Sequence, residues 1–339
     1  MIVPVSLLFF LISYLFLGSK QEQRVKSMGL TLVLIWIILT FIATFRPENM
    51  SDRENYLDFW NGWEGGRFEI GFTTITDIIR IISTNNYWFL FVFAALSISL
   101  KLFAIKRITN LFWASLLIYV ANMFILHDMI QMRCAVASGL LLHAVYYLVN
   151  HDSKRFFITF ILAFLFHYSS LIILPLFLLD VKRINKYFYI GLIFVSYMIG
   201  PIFPIESFIQ MLPIEGVQSL WAVYENTVDD EINIFNAMQL GRIAICLFLL
   251  INIDKIFYHN KYAILLVKIY ATSIVTLVLF SSVPVIAFRV SELYQVVEIV
   301  LIPMAMYALR GNVYFKRTIL FIIGLAFLFM NIFYLELLK

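Results

Sequence analysis

Charge is what this 339-residue sequence has least of. Asp, Glu, Lys and Arg make up 14% of it, against 62% hydrophobic residues, which excludes the mixed, charged surface of an ordinary soluble domain. Cysteine is scarce too. Cys134 and Cys246 both fall in apolar runs, so there is no disulfide framework and both read as packing residues. The five histidines include no i, i+4 pair, which removes the usual helical zinc pattern. No phosphate-cradling glycine loop, dinucleotide fingerprint or zinc motif is present, nor any internal repeat, inverted-repeat symmetry or low-complexity tract. The first apolar run, 2–17, has neither a basic start nor a small-residue cleavage site. It is expected to be a span and not a cleaved signal.

What the sequence does have is a succession of apolar runs about 17–22 residues long, the length a helix needs to cross roughly 30 Å of hydrocarbon. Lipid leaves helices or closed barrels as the only ways to satisfy the backbone. The fold class is therefore all-α: a polytopic integral membrane protein forming a single transmembrane domain over residues 1–339. About ten transmembrane helices are expected, near 2–18, 28–45, 87–105, 110–127, 132–149, 187–203, 237–253, 262–281, 290–309 and 317–337. One further segment, 155–180, is interrupted by His167, Tyr168, Ser169 and Ser170. Lysine and arginine cluster at 20–26, 101–107, 154–155, 182–186, 255–261 and 310–317, and all six clusters can be cytoplasmic only if 155–180 leaves and returns on one side. It is read as a re-entrant or broken helical hairpin with His167 at its tip.

That topology puts two loops outside. The first, 46–86, is expected to carry amphipathic helices: Asp52, Tyr56, Phe59 and Trp63 share one helical face with Trp60 beside them, and Phe72, Ile75, Ile79 and Ile82 make a second stripe. The other, 204–236, holds six acids and no Lys or Arg. Away from the termini, seven cations fall on this outer side: Arg46, Arg53, Arg67, Arg80, Arg133, Arg242 and Arg289. All are arginine, whose forked, permanently charged guanidinium grips phosphate oxygens bidentately. Arg133 is singled out because it opens an apolar segment at His127–Tyr147, HDMIQMRCAVASGLLLHAVYY, where an unpartnered charge is costly. For Arg53, Arg67 and Arg80 the simpler reading is pairing with outer acids such as Asp52, Asp128 and Glu292. His167 can serve as general base or bind a sugar hydroxyl, or be a satisfied packing residue. His127 and Asp128 are placed together at the outer end of a span, orienting each other. His143 shares a small-xxx-small face with Ala135 and Gly139 and reads as structural.

A spaced set of motifs resembles the Wzy-type repeat-unit polymerases of surface polysaccharides, in their EpsG-like branch. The set runs from FRPENMSDRENYLDFW and Phe68-Glu69-Ile70-Gly71-Phe72, through IQMRCAVASG and LAFLFHYSSLIILP, to FRVSELY, in order over about residues 46–303. The resemblance implies a GT-C-like membrane glycosyltransferase in the bacterial cytoplasmic (inner) membrane, its active site facing the periplasm or cell exterior. It would join undecaprenyl-pyrophosphate-linked oligosaccharide repeat units by a single inverting displacement, with no metal or cofactor. It also implies roles: Arg133, Arg289, Arg46 and Arg242 for the pyrophosphate; His167 as base, with Asp52 or Glu69 as alternatives; Tyr56, Trp60, Trp63, Gln131 and Tyr294 for the sugars. Partners would be the lipid-linked donor and acceptor, membrane lipid and a chain-length regulator, and no nucleic acid. Three other functions stay open: an O-antigen ligase, a flippase for the same lipid-linked oligosaccharide, and a membrane acyltransferase.

Overall fold

A computed structural model describes residues 1–18, 29–50, 52–63, 68–200 and 232–338. Among these the regular structure is entirely helical. The chain divides into two compact units, one of residues 1–177 and 298–339, the other of residues 178–297. The apolar helices make this an integral membrane protein. Three are long and apolar enough to cross a bilayer by themselves: Asn86–Ile108, Met132–Val149 and Val313–Tyr334. Six shorter apolar helices of 10–17 residues accompany them.

The first unit contains α1 (Ile2–Gly18), α2 (Gly29–Thr44), α3 (Arg53–Trp60), α4 (Ile70–Ile82), α5 (Asn86–Ile108), α6 (Phe112–Ala121), α7 (Met132–Val149) and α8 (Ser153–Phe166). Its centre is α7, 83% of which is buried, packed between α5 and α8. Small residues let it in: a side chain at Gly139 would meet Leu100 Cβ at 2.8 Å. His143, one turn on, sits with Nε2 3.0 Å from the Leu100 carbonyl, a packing position. Helix starts are set by short polar side chains that accept the first free backbone N–H groups. Asn85 takes that of Tyr87 at 2.9 Å and Asp152 that of Arg155 at 3.0 Å.

Two breaks in the described part of the first unit bear on the site: one falls where the sequence predicts a hairpin tip, the other inside an expected span. The expected 290–309 span is itself divided after Gln295. After α8, His167 is extended (φ −158°, ψ 114°) and the chain returns as a 3₁₀ segment, Tyr168–Leu178. Phe177 comes back to within 5.6 Å of Phe156 and 5.1 Å of Phe157, ring centre to ring centre. The two arms are thus antiparallel, with His167 at the tip. The other break splits the expected 110–127 span. α6 stops at Ala121, and a π-helical turn, Phe124–Ile130, bends away by 63°. Buried amides hold the break. Asn122 donates to Glu298 Oε2 at 2.6 Å, while Asn331 donates to the Ala121 carbonyl at 3.0 Å and to Asn122 Oδ1 at 3.2 Å. The unit closes with α9 (Glu298–Leu301), a 3₁₀ turn and α10 (Val313–Phe329), which packs on α1 and α6.

The second unit holds α11 (Lys186–Ile199), α12 (Ala237–Ile251), α13 (Ile253–His259), α14 (Ala263–Leu279) and α15 (Pro284–Gln295). The central member is α14, packed on α11, α12 and α15. Its Lys268 reaches the Asp180 carbonyl at 2.6 Å. Most of the acidic 204–236 stretch, the basic 20–26 cluster and Arg67 lie outside the described residues.

Candidate functional site at the tip of the hairpin

Three of the motifs meet at one carboxylate. Glu69 begins α4 with an extended backbone (φ −72°, ψ 147°), yet its side chain does not cap its own helix. It turns the other way. Oε2 lies 2.7 Å from Arg133 Nη1; Oε1 lies 3.4 Å from His167 Nδ1 and accepts the backbone N–H of Tyr168 at 3.2 Å. A carboxylate at the first N–H of the 3₁₀ segment also suits the positive end of that helix. Glu69 thereby ties the start of α7 to the tip of the hairpin.

The neighbouring residues of Phe68-Glu69-Ile70-Gly71-Phe72 make this geometry attainable. Gly71 lies against α8 so closely that a Cβ there would stand 2.7 Å from the Leu165 carbonyl oxygen. Without a side chain, the first turn of α4 can sit on the last turn of α8, two residues from His167. Phe68 lies under the Arg133 guanidinium, 4.9 Å from ring centre to Cζ, with Tyr56 and Phe72 each at 6.0 Å. Aromatic faces stabilise a guanidinium by about 0.5–2 kcal/mol when it is partly desolvated. The Arg133 side chain keeps 21% of its surface exposed, against 4% for Glu69. The guanidinium is thus less enclosed than the carboxylate it pairs with.

Electrostatics fix the charge on Glu69. Burial by itself raises its pKa, but the contact with His167 and the charge of Arg133 outweigh that and hold the carboxyl at about 2. Glu69 is ionised at any physiological pH and correspondingly weak as a base. Tyr56 is shifted the other way, mainly by burial, so its phenol keeps its proton beside Arg133.

The remaining candidates in this unit occupy distinct places. Arg46 is buried, donating to the Met129 carbonyl at 2.6 Å and contacting Met132 sulfur. Arg53 lies 3.6 Å from Glu48. Arg80 caps the end of α3 through the Phe59 and Trp60 carbonyls and pairs with Asp77 at 2.8 Å, as cations at helix C-termini do. Asp52 is exposed, in a left-handed conformation (φ 63°) ahead of α3. Helix α3 buries Arg53, Tyr56 and Trp60, a face one residue round from the expected one, because Trp60 stacks on Phe89 at 5.4 Å. Trp63 falls beyond the helix and is exposed, and Gln131 is half-buried just ahead of α7. In α4, Thr76 takes a buried place with its hydroxyl on the Phe72 carbonyl, while Ile82 points outward.

Chain comparison decides the family. The model of the EpsG family matches residues 29–339. This chain belongs to the EpsG family. A curated relative, the amylovoran biosynthesis protein AmsC of Erwinia amylovora, is 23% identical over 325 residues, covering 89% of this chain and 85% of that protein. No solved structure matches.

In this EpsG-family protein the other candidates belong to the second unit. Arg242 is buried in the second turn of α12; Arg289 is exposed and Tyr294 buried, both on α15. Sequence reasoning missed a cluster in the first unit. Asp128, expected beside His127 to pair with an outer arginine, is instead bonded by Lys101 at 2.8 Å to each of its oxygens. Ser97 at 2.6 Å and Tyr119 at 2.8 Å complete its shell. Lys101 was assigned to the cytoplasmic 101–107 cluster, yet it is fully buried. The available signal was its position, two turns inside an otherwise apolar helix, where an ammonium requires a partner.

Proposed function

We propose that this protein is a polysaccharide polymerase, an inverting membrane glycosyltransferase that joins undecaprenyl-pyrophosphate-linked oligosaccharide repeat units at the outer leaflet of the bacterial cytoplasmic membrane. The observation that carries this reading is the Glu69 bridge between Arg133 and His167. It brings a fixed positive charge and a titratable imidazole together at a break in an apolar bundle. The relative's role in amylovoran biosynthesis and the family membership support a part in making surface polysaccharide.

In this reading the acceptor hydroxyl of one repeat unit attacks the anomeric carbon of the donor glycan. Its proton passes to His167 as the new glycosidic C–O bond forms. The bond from the anomeric carbon to the pyrophosphate oxygen breaks on the opposite face, and the electron pair leaves with the lipid pyrophosphate. Arg133 meets the charge developing there. Glu69, too acidic to be an efficient base, orients the imidazole and holds the guanidinium, as the carboxylate of a catalytic triad orients its histidine. Trp63 and Gln131 are further sugar candidates of the first unit, and Arg242, Arg289 and Tyr294 stand as candidates within the second. About ten spans remain the proposed topology, with the basic clusters inside except for Lys101, which is buried against Asp128.

Deleting the gene in its host and sizing the surface glycan on a gel tests this. Loss of the long ladder, with single repeats still on their acceptor, is the polymerase outcome. Full-length polymer stranded on the carrier lipid would mean a ligase, and an unchanged ladder would overturn the reading.

A further inference from the structure

We propose that the Lys101–Asp128 pair is a positioning device for Arg133, fixing the π-helical turn Phe124–Ile130 and through it the place where α7 begins. The inference rests on the reading of Arg133 as a pyrophosphate ligand.

The pair is not a vacant binding site. Asp128 receives four hydrogen bonds, two from Lys101 and one each from Ser97 and Tyr119, so its acceptor capacity is filled and no ligand is called for. Lys101 and Asp128 are both 0% exposed at the side chain. Burying two charges is costly, and apolar side chains of similar volume often stabilise a core at least as well. What a closed ion pair adds is one defined arrangement, and here it defines the turn. Two donors come from α5 and one from α6, so a single carboxylate ties the turn to both helices before it.

The turn is coupled to α7 through the backbone. The Gln131 N–H donates to the Leu126 carbonyl at 3.2 Å, and the Gln131 carbonyl accepts the Ala135 N–H at 2.8 Å. Rotation of the turn therefore carries the first turn of α7, and Arg133, with it. Arg46 adds a further tie to the turn through the Met129 carbonyl at 2.6 Å. The anchor is remote from Arg133 itself. Ser97, which bonds Asp128, has its carbonyl 3.6 Å from where a Gly139 Cβ would stand, and Gly139 is roughly 9 Å along α7 from Arg133 at 1.5 Å per residue. Lys101 and Asp128 thus act through the backbone and touch no substrate.

The test uses full-length protein in detergent, with inorganic pyrophosphate as the probe and its thermal stabilisation of the protein as the readout. Lys101→Met/Asp128→Leu should fold, with pyrophosphate affinity at least tenfold weaker than the parent, approaching Arg133→Ala. Lys101→Arg, which keeps the charge, should restore affinity to within about threefold. A folded double variant with parental affinity, beside an Arg133→Ala that loses it, overturns the positioning role and leaves Arg133 standing. Parental affinity in Arg133→Ala overturns the reading of Arg133 itself, and the inference with it. If the double variant does not reach the membrane, Tyr119→Phe decides. A severalfold loss that disappears in the Arg133→Ala background supports positioning; parental affinity overturns it.

Discussion

Glu69 and Asp128 each lie against a basic side chain, 2.7 Å from Arg133 and 2.8 Å from Lys101, but in different surroundings. Asp128 is enclosed, with every donor supplied by α5 and α6. Glu69 sits at a junction of three segments, and its cation retains 21% of its surface. A closed pair fixes geometry because no competing ligand can enter. An open pair can exchange partners, since a phosphate oxygen can share the guanidinium with the carboxylate at little reorganisation. The same pairing of charges is thus closed in one place and leaves its cation part-exposed in the other, and burial makes the difference.

The contrast breaks first, and most severely, at Asp128. Asp128→Ala leaves a buried ammonium without its counter-charge, which costs about 3–5 kcal/mol. Protein in the membrane should fall sharply, as measured by its level and its thermal midpoint. Arg133→Ala should do the reverse. The protein should accumulate normally while polymer formation drops roughly 100-fold or more, the scale of losing one charge-stabilising donor, read as loss of the long glycan ladder. Arg133→Lys should recover only part, since an ammonium lacks the two-pronged donor geometry.

Gly71→Ala sharpens the comparison by separating the two pairs. The added methyl meets the Leu165 carbonyl, a rigid neighbour, so α4 must shift at a cost of about 1–3 kcal/mol. The Glu69–His167 contact should open and activity fall about tenfold, with the Lys101–Asp128 pair intact. A variant as active as the parent would show that this approach is not needed.

The last effect is confined to acid. The folded pKa of Glu69, about 2, is below the unfolded value of about 4.3. Its contribution to stability is therefore complete above the unfolded value and is lost as pH falls through the folded one. Thermal midpoints of the parent should decline more steeply than those of Glu69→Gln between about pH 4 and 2; equal slopes there would show that the carboxylate contributes nothing.

Much of the fold can be read directly from the residues. Apolar runs of bilayer length mark the helices, and the interruption at His167 marks a hairpin tip, because FLFHYSS cannot continue an apolar helix without exposing polar groups. The 63° break after α6 could not be read in this way, since Phe124, Ile125 and Leu126 are as apolar as any span. The break depends on Asn122, Glu298 and Asn331, which are up to 209 residues apart in sequence. Arg133 and His167 are legible as polar groups in costly places; that Glu69 joins them is not.

Composition and periodicity by themselves determined that this protein is helical, membrane-embedded and arginine-rich toward one proposed face, because hydrocarbon penalises each unsatisfied polar group according to residue type alone. Tertiary structure decided the pairings. It gave Lys101 rather than an arginine to Asp128, Glu69 jointly to Arg133 and His167, and the Met129 carbonyl to Arg46. A charge in a low-dielectric bundle takes whichever partner the packing brings within about 3 Å, and only the folded chain sets that distance.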